Sequence, residues 1–280
     1  MKSLVCLAVL SLATYGQDLE RTEVIERTLA FENPDDTPRL LVDNISGSIT
    51  VVGHDGTDVK LVATRKTRAE SESKFLEAAE EVKLDIDARR DRIEVVVDTP
   101  WRNRWDGWGH RGYDFYGYRV SFDFELRVPR NVALYLRTVE KGDIRVERVD
   151  GEFRVKNVNG DVSLVGMGGH GHASTVNGSL DLTFRTSPTE NCSFKTVNGK
   201  VDVTFPAGLS ADLVLKTFNG KAYTDFDFAP APPSGMKRTS KYGRAMLKIG
   251  NEYVVRVRDG GPQLAFDTLN GNIEIRKGEE

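Results

Sequence analysis

The chain has 280 residues, 39% of them hydrophobic, with 39 Lys and Arg against 42 Asp and Glu. That is enough apolar material for one or two domains with a real core. The net charge of −3 and the lack of any basic tract argue against nucleic acid or anionic lipid as the main partner.

Residues 1–16 read as a secretory signal, with Lys2 as the basic start, an apolar run over residues 4–12 and small residues before Gln17. That run is too short for a mature transmembrane anchor. A buried N-terminal strand is the rival reading, but Leu, Ala and Ser follow no period-2 pattern. Loss of the leader would remove Cys6 and leave Cys192 alone, so no disulfide within the mature chain is expected.

A strand is expected over residues 22–31, broken by Asn33-Pro34-Asp35-Asp36. Thr67-Arg68-Ala69-Glu70 has the capping-box pattern and predicts a helix over 69–82, with Phe75, Leu76, Ala79 and Val82 as its apolar stripe. So narrow a stripe suits a helix covering a sheet edge. A hairpin around Arg89-Arg90-Asp91 follows. Residues 99–118 then carry all three Trp residues amid Arg, Gly and Tyr. Strands over 119–128 and 132–137 follow, paired across Pro129-Arg130-Asn131. Residues 229–250, rich in Pro, Gly, Ser and Lys, read as an excursion.

From residue 132 onward, and once before it, the sequence repeats itself. Thr175-Val176-Asn177-Gly178, Thr196-Val197-Asn198-Gly199, Thr217-Phe218-Asn219-Gly220 and Thr268-Leu269-Asn270-Gly271 share one grammar with Asn44-Ile45-Ser46-Gly47 and Asn157-Val158-Asn159-Gly160, and a looser copy starts at Thr138. Such spacing marks a repeat architecture. After each Gly an alternation follows, so Val201, Val203 and Phe205 share one face, with Lys200, Asp202 and Thr204 on the other. Each repeat is two short strands with a corner at Asn-Gly. Stacked coils would align Asn44, Thr138, Asn157, Thr175, Thr196, Thr217 and Thr268 in a buried ladder passing hydrogen bonds from coil to coil. The expected fold is all-β: a single-stranded right-handed β-helix, or β-solenoid, with one capping helix. An antiparallel meander or sandwich is the alternative, since Asn-Gly also favours hairpins. Residues 17–131 form a β-rich first region and 132–280 the repeats, as one continuous unit from 22 to 276.

The first repeat, the recurring T-V-N-G and the ending Asp259-Gly260-Gly261-Pro262 through Ile273 resemble the bacterial putative-adhesin family. The resemblance covers nearly the whole mature chain. It implies a secreted or envelope protein with a right-handed β-helical fold, and relatives include envelope-stress accessory proteins.

The residues that interrupt the repeat are the candidate binding site. Trp101, Trp105, Trp108, Tyr113, Tyr116 and Tyr118 offer large flat surfaces with polar tips, and Arg102, Arg104 and Arg111 can pair with anions or stack on rings. The rival reading is a loop that folds back to seal the flank. His110, His170 and His172 lack further ligands at metal spacing, so no metal and no cofactor is expected. Asp181 and Asp202 could be neighbours on the outer face, the minimum for glycoside chemistry, although a solvated polar face explains them more simply. Cys192 falls on an inward position. The sequence therefore points to an exported, non-enzymatic, adhesin-like protein with a binding or structural role at the bacterial envelope, its partner an envelope glycan or protein. A polysaccharide-processing enzyme and an envelope-stress accessory protein are the alternatives.

Overall fold

The computed structural model describes residues 6–15, 18–31, 37–89, 91–100, 116–230, 238–241, 244–247 and 252–278. Among them the protein is all-β with one α-helix, its strands belonging to two large mixed sheets and a two-stranded ribbon. It divides into two compact units, Met1–Val146 and Glu147–Glu280, a boundary that falls inside the repeat region.

The first unit holds β1 (Cys6–Tyr15), β2 (Asp18–Ala30), β3 (Arg39–Asp43), β4 (Ile49–His54), β5 (Asp58–Ala69), α1 (Glu72–Glu81), β6 (Lys83–Arg89), β7 (Arg92–Asp98), β8 (Tyr118–Pro129) and β9 (Ala133–Arg137), with β10 (Ile144–Glu147) at its boundary. In one sheet β1, β2, β5 and β8 run antiparallel in that order, and β4 joins β8 in parallel. In the other, the β6–β7 hairpin is extended in parallel by β3 and then β9. Residues 6–15, read from the sequence as part of a leader, pair with β2 as β1. The strands flanking Pro129-Arg130-Asn131 are not a hairpin, because β8 and β9 lie in different sheets.

The helix starts later than Thr67-Arg68-Ala69-Glu70 suggests. Thr67 and Ala69 remain in β5, where pairing with both β2 and β8 continues to Ala69. That ladder holds the segment extended, and Ser71 becomes the N-cap, its Oγ accepting from the Lys74 N–H at 3.3 Å. The buried stripe is Phe75, Ala78 and Val82, while Leu76 is 58% exposed. α1 packs on β5 and β8. Both strands have neighbours on each side, so the helix covers a sheet face, not an edge.

The second unit holds β11 (Phe153–Lys156), β12 (Val162–Met167), β13 (Gly171–Ser174), β14 (Leu180–Phe184), β15 (Cys192–Asn198), β16 (Val201–Phe205), β17 (Ala211–Asn219), β18 (Ala222–Thr224), β19 (Phe228–Pro230), β20 (Arg238–Lys241), β21 (Arg244–Leu247), β22 (Glu252–Val257), β23 (Gln263–Asn270) and β24 (Ile273–Lys277). The excursion is therefore partly structured: β20 and β21 form an antiparallel ribbon, and β19 pairs with β22.

At each motif the chain crosses from one sheet to the other. The strands before the motifs pair in parallel in the order β11–β13–β15–β23–β17. Those after them pair in the order β12–β14–β16–β24–β18. The last repeat, β23–β24, thus lies between the two that precede it, and β22 covers the far side of β17 in antiparallel register. Thr268 therefore stands between Thr196 and Thr217, which sequential stacking would have placed side by side. The inward face is the one the alternation indicates. Leu180, Leu182, Val201, Val203, Phe205, Ile273 and Ile275 from one sheet are buried, as are Phe194, Leu213, Leu264 and Phe266 from the other. Rings from the two sheets meet in this core: Phe205 lies edge-on to Phe266 with centroids 6.4 Å apart, and Phe184 lies 6.0 Å from Phe194. Burying each such side chain stabilises by about 1.5–3 kcal/mol.

Candidate functional site

Of the aromatic segment, Trp101, Arg102, Arg104, Trp105, Trp108, Arg111 and Tyr113 lie outside the described residues. Its C-terminal root is built on α1. Tyr118, the first residue of β8, is 3% exposed and gives its hydroxyl to the Glu81 carboxylate. Burial, reinforced by that hydrogen bond and the charges of Glu81 and Glu77, pushes the phenol far above its ordinary value. It therefore stays protonated and serves as an anchor, not as exposed binding surface. Tyr116 is half-buried, its ring centroid 5.8 Å from that of Tyr118. Between them Gly117 sits at φ 72°, in the left-handed region, where its carbonyl accepts from the Glu70 N–H at 3.0 Å. The helix is itself held down. Arg21 forks onto Glu72 at 2.8 and 2.9 Å and lies over the Phe75 ring, and Arg65 donates to the Ala78 carbonyl at 3.0 Å.

The ladder residues come together, but with different partners from those expected. Each hydroxyl donates to the motif glycine carbonyl of an adjacent strand pair: Thr138 to Gly47 (3.0 Å), Thr175 to Gly160 (2.9 Å), Thr196 to Gly178 (2.7 Å), Thr268 to Gly199 (3.0 Å) and Thr217 to Gly271 (3.0 Å). Asn44 bridges the carbonyls of Gly47 and Phe122 at 3.1 and 2.8 Å, and Asn157 accepts from the Val158 N–H at 2.7 Å. The column is thus side chain to backbone. Its members are buried except Thr217, which is half-buried.

A second ladder, which the sequence reading did not separate from the corner, runs beside it in the open. Asn177, Asn198, Asn270 and Asn219 each donate through Nδ2 to the Oδ1 of the preceding member, starting at Asn159, at 2.7–2.9 Å. The recurrence of Asn two residues after Thr was its visible signal. The glycines have a packing role as well: a Cβ at Gly178, Gly199, Gly271 or Gly220 would lie 1.8–2.1 Å from the carbonyl oxygen of the adjacent motif glycine.

Asp181 and Asp202 are register partners on adjacent parallel strands, but their surroundings differ. Asp181 is exposed, whereas Asp202 is buried and clasped by Arg276 at 2.9 and 3.2 Å and by Lys200 at 3.2 Å. Burial opposes the Asp202 charge, yet the hydrogen bonds and positive charges of Arg276 and Lys200 outweigh it and hold the carboxyl below its ordinary value. A carboxyl so held is a poor proton donor. His170 lies 3.3 Å from Glu190 at an open polar recess of about 520 Å³ that His172 also lines. Among the described residues no group of three His, Cys, Asp or Glu could hold a metal ion. Cys192 is buried, and burial raises its thiol to about 11.

No family model matches the chain, and no curated protein matches it. Among solved structures it is similar to a putative cell adhesion protein from Clostridium sporogenes, at 10% identity over 90% of this chain and 99% of that one, with a TM-score of 0.47. It is also similar to putative adhesins from Bacteroides fragilis (9% identity, 91% of this chain and 97% of that one, TM-score 0.38) and Parabacteroides merdae (7%, 91% and 96%, 0.28). No helix among the described residues is long and apolar enough to cross a membrane.

Proposed function

We propose that the chain is an exported, adhesin-like protein that works without catalysis, its repeats winding as a right-handed β-helix. In this reading residues 1–16 direct export, and the scaffold presents the segment between β7 and β8 to an envelope glycan or protein. What supports it is the use already made of the repeated polar groups. The motif Thr hydroxyls bond to glycine carbonyls, the Asn amides bond to one another, and Asp202 is committed to Arg276 and Lys200. A motif whose polar groups serve the scaffold leaves recognition to what interrupts it, and Trp-, Tyr- and Arg-rich segments are the composition of binding hot spots. The test replaces Trp101, Trp105 and Trp108 by Ala together. Capture of envelope material should be lost while the thermal midpoint moves by no more than about 1 °C, a shift below ~1 kcal/mol for a protein of this size. A large fall in the midpoint would make the segment a structural seal. Release of new reducing ends from a glycan panel would restore the enzymatic alternative.

A further inference from the structure

We propose that the outer edge of β18 is a self-complementary docking surface for a second copy of this chain. On its inner side β18 pairs with β24: the Ile273 N–H donates to the Lys221 carbonyl, and the Asp225 N–H donates to the Ile275 carbonyl. In a parallel ladder this turns the Tyr223 amide and carbonyl inward and those of Ala222 and Thr224 outward. Among the described residues no strand pairs with that outward side. The opposite sheet, by contrast, ends at β19, which finishes in Pro230. Proline is one of the usual ways of blunting an edge, and β18 carries none.

The direction of the outward groups fixes how a second copy can add. An antiparallel two-fold pairing that uses both outward residues of each strand has one register: Ala222 opposite Thr224 of the second copy, and Thr224 opposite its Ala222. Four N–H···O bonds result. That register sets Tyr223 against its own equivalent and Lys221 against Asp225 of the second copy. The three side chains alternate onto the exposed outer face, where Tyr223 is 51% exposed and Lys221 is exposed, while Asp225, also exposed, accepts the Lys277 N–H on Oδ2 at 3.3 Å and has Oδ1 for the ion pair. The ion pairs therefore form twice, on either side of a tyrosine pair. Because the same patch serves both partners, the contact closes as a dimer and does not propagate. A three-residue strand would give an unrelated peptide little more than its backbone bonds, whereas the self-pairing adds two opposite-charge pairs and an aromatic contact.

The experiment uses the full chain. Sedimentation velocity between about 1 μM and 1 mM should show reversible dimerisation in a range typical of small, transient contacts. Lys221→Glu should weaken it at least tenfold by setting like charges opposite one another, and Lys221→Glu with Asp225→Lys should restore it. Non-hydrogen-bonded partners sit with Cα atoms about 4.5 Å apart, within disulfide reach. Tyr223→Cys should therefore crosslink into a dimer under mild oxidation, while the unmodified chain and Tyr253→Cys, at a site 72% exposed, should not. Far-ultraviolet circular dichroism confirms that each variant is folded. A dimer indifferent to Lys221→Glu overturns the proposal, as does monomeric behaviour of the unmodified chain throughout that range.

Discussion

At Gly199 there is no room for a methyl group: a Cβ would stand 2.0 Å from the Gly178 carbonyl oxygen, which also accepts the Thr196 hydroxyl. Gly199→Ala should cost about 3 kcal/mol, the upper end for forced overpacking. Thr196→Val, which keeps the shape and leaves the half-buried Gly178 carbonyl without that hydroxyl, should cost about 1 kcal/mol. Urea midpoints at constant m-value would check both. Asp202 makes a prediction about pH. Its carboxyl is depressed in the fold and regains its ordinary value on unfolding. The stability it contributes is therefore complete above about pH 4 and is lost as pH falls through the lower, folded value. In Arg276→Met that acid-side loss should be smaller, seen as a flatter plot of unfolding midpoint against pH below about 4. The Thr and Gly positions were legible because they recur at fixed spacing. What each bonds to was not, since a hydroxyl can donate equally well to a neighbouring hydroxyl or a neighbouring carbonyl.

Among the elements, α1 shows how local signals lose to longer-range ones. Thr67 and Glu70 had the letters of a cap, but twelve paired residues of β5 against β2 outweigh one turn of helix. Ser71, the next hydroxyl along, takes the role. Ser71→Ala should cost about 1 kcal/mol, and Phe75→Ala about 3 kcal/mol through the cavity it leaves under Arg21. The same cap test at Thr67 would show no helix effect, and circular dichroism during urea unfolding would separate the two sites. The strands were legible almost to the residue wherever apolar and polar positions alternate, as in β7 and β16. Their partners were not: β8 and β9 are close in sequence and lie in different sheets, β8 continuing its ladder with β4 through the Arg130 N–H on the His54 carbonyl and β9 joining β3 through the Ala133 N–H on the Pro38 carbonyl.

For the molecule as a whole, the departure from sequence order is the position of the last repeat. Because β23–β24 separates β15–β16 from β17–β18, removing residues 263–278 would take an inner layer out of the second unit instead of trimming its end. Such a chain should lose cooperative unfolding of residues 147–262, whereas a sequential stack would merely unfold at a slightly lower temperature. Calorimetry and limited proteolysis distinguish the outcomes. Nothing in the motif announces this arrangement, since the final T-L-N-G is as good a match for Thr196 as for Thr217, and only the length of the excursion before it hints at a detour.

That arrangement also bears on timing. A chain made or threaded N-terminus first presents β17 and β18 well before the strands that must slip in beside them, at about 5–20 residues per second during synthesis. Until residues 263–277 arrive, β15 and β16 lack the strands that flank them on one side. The second unit therefore cannot close progressively as it emerges. Its completion waits for residues 263–278, so the layers already made stay pliable until those residues follow.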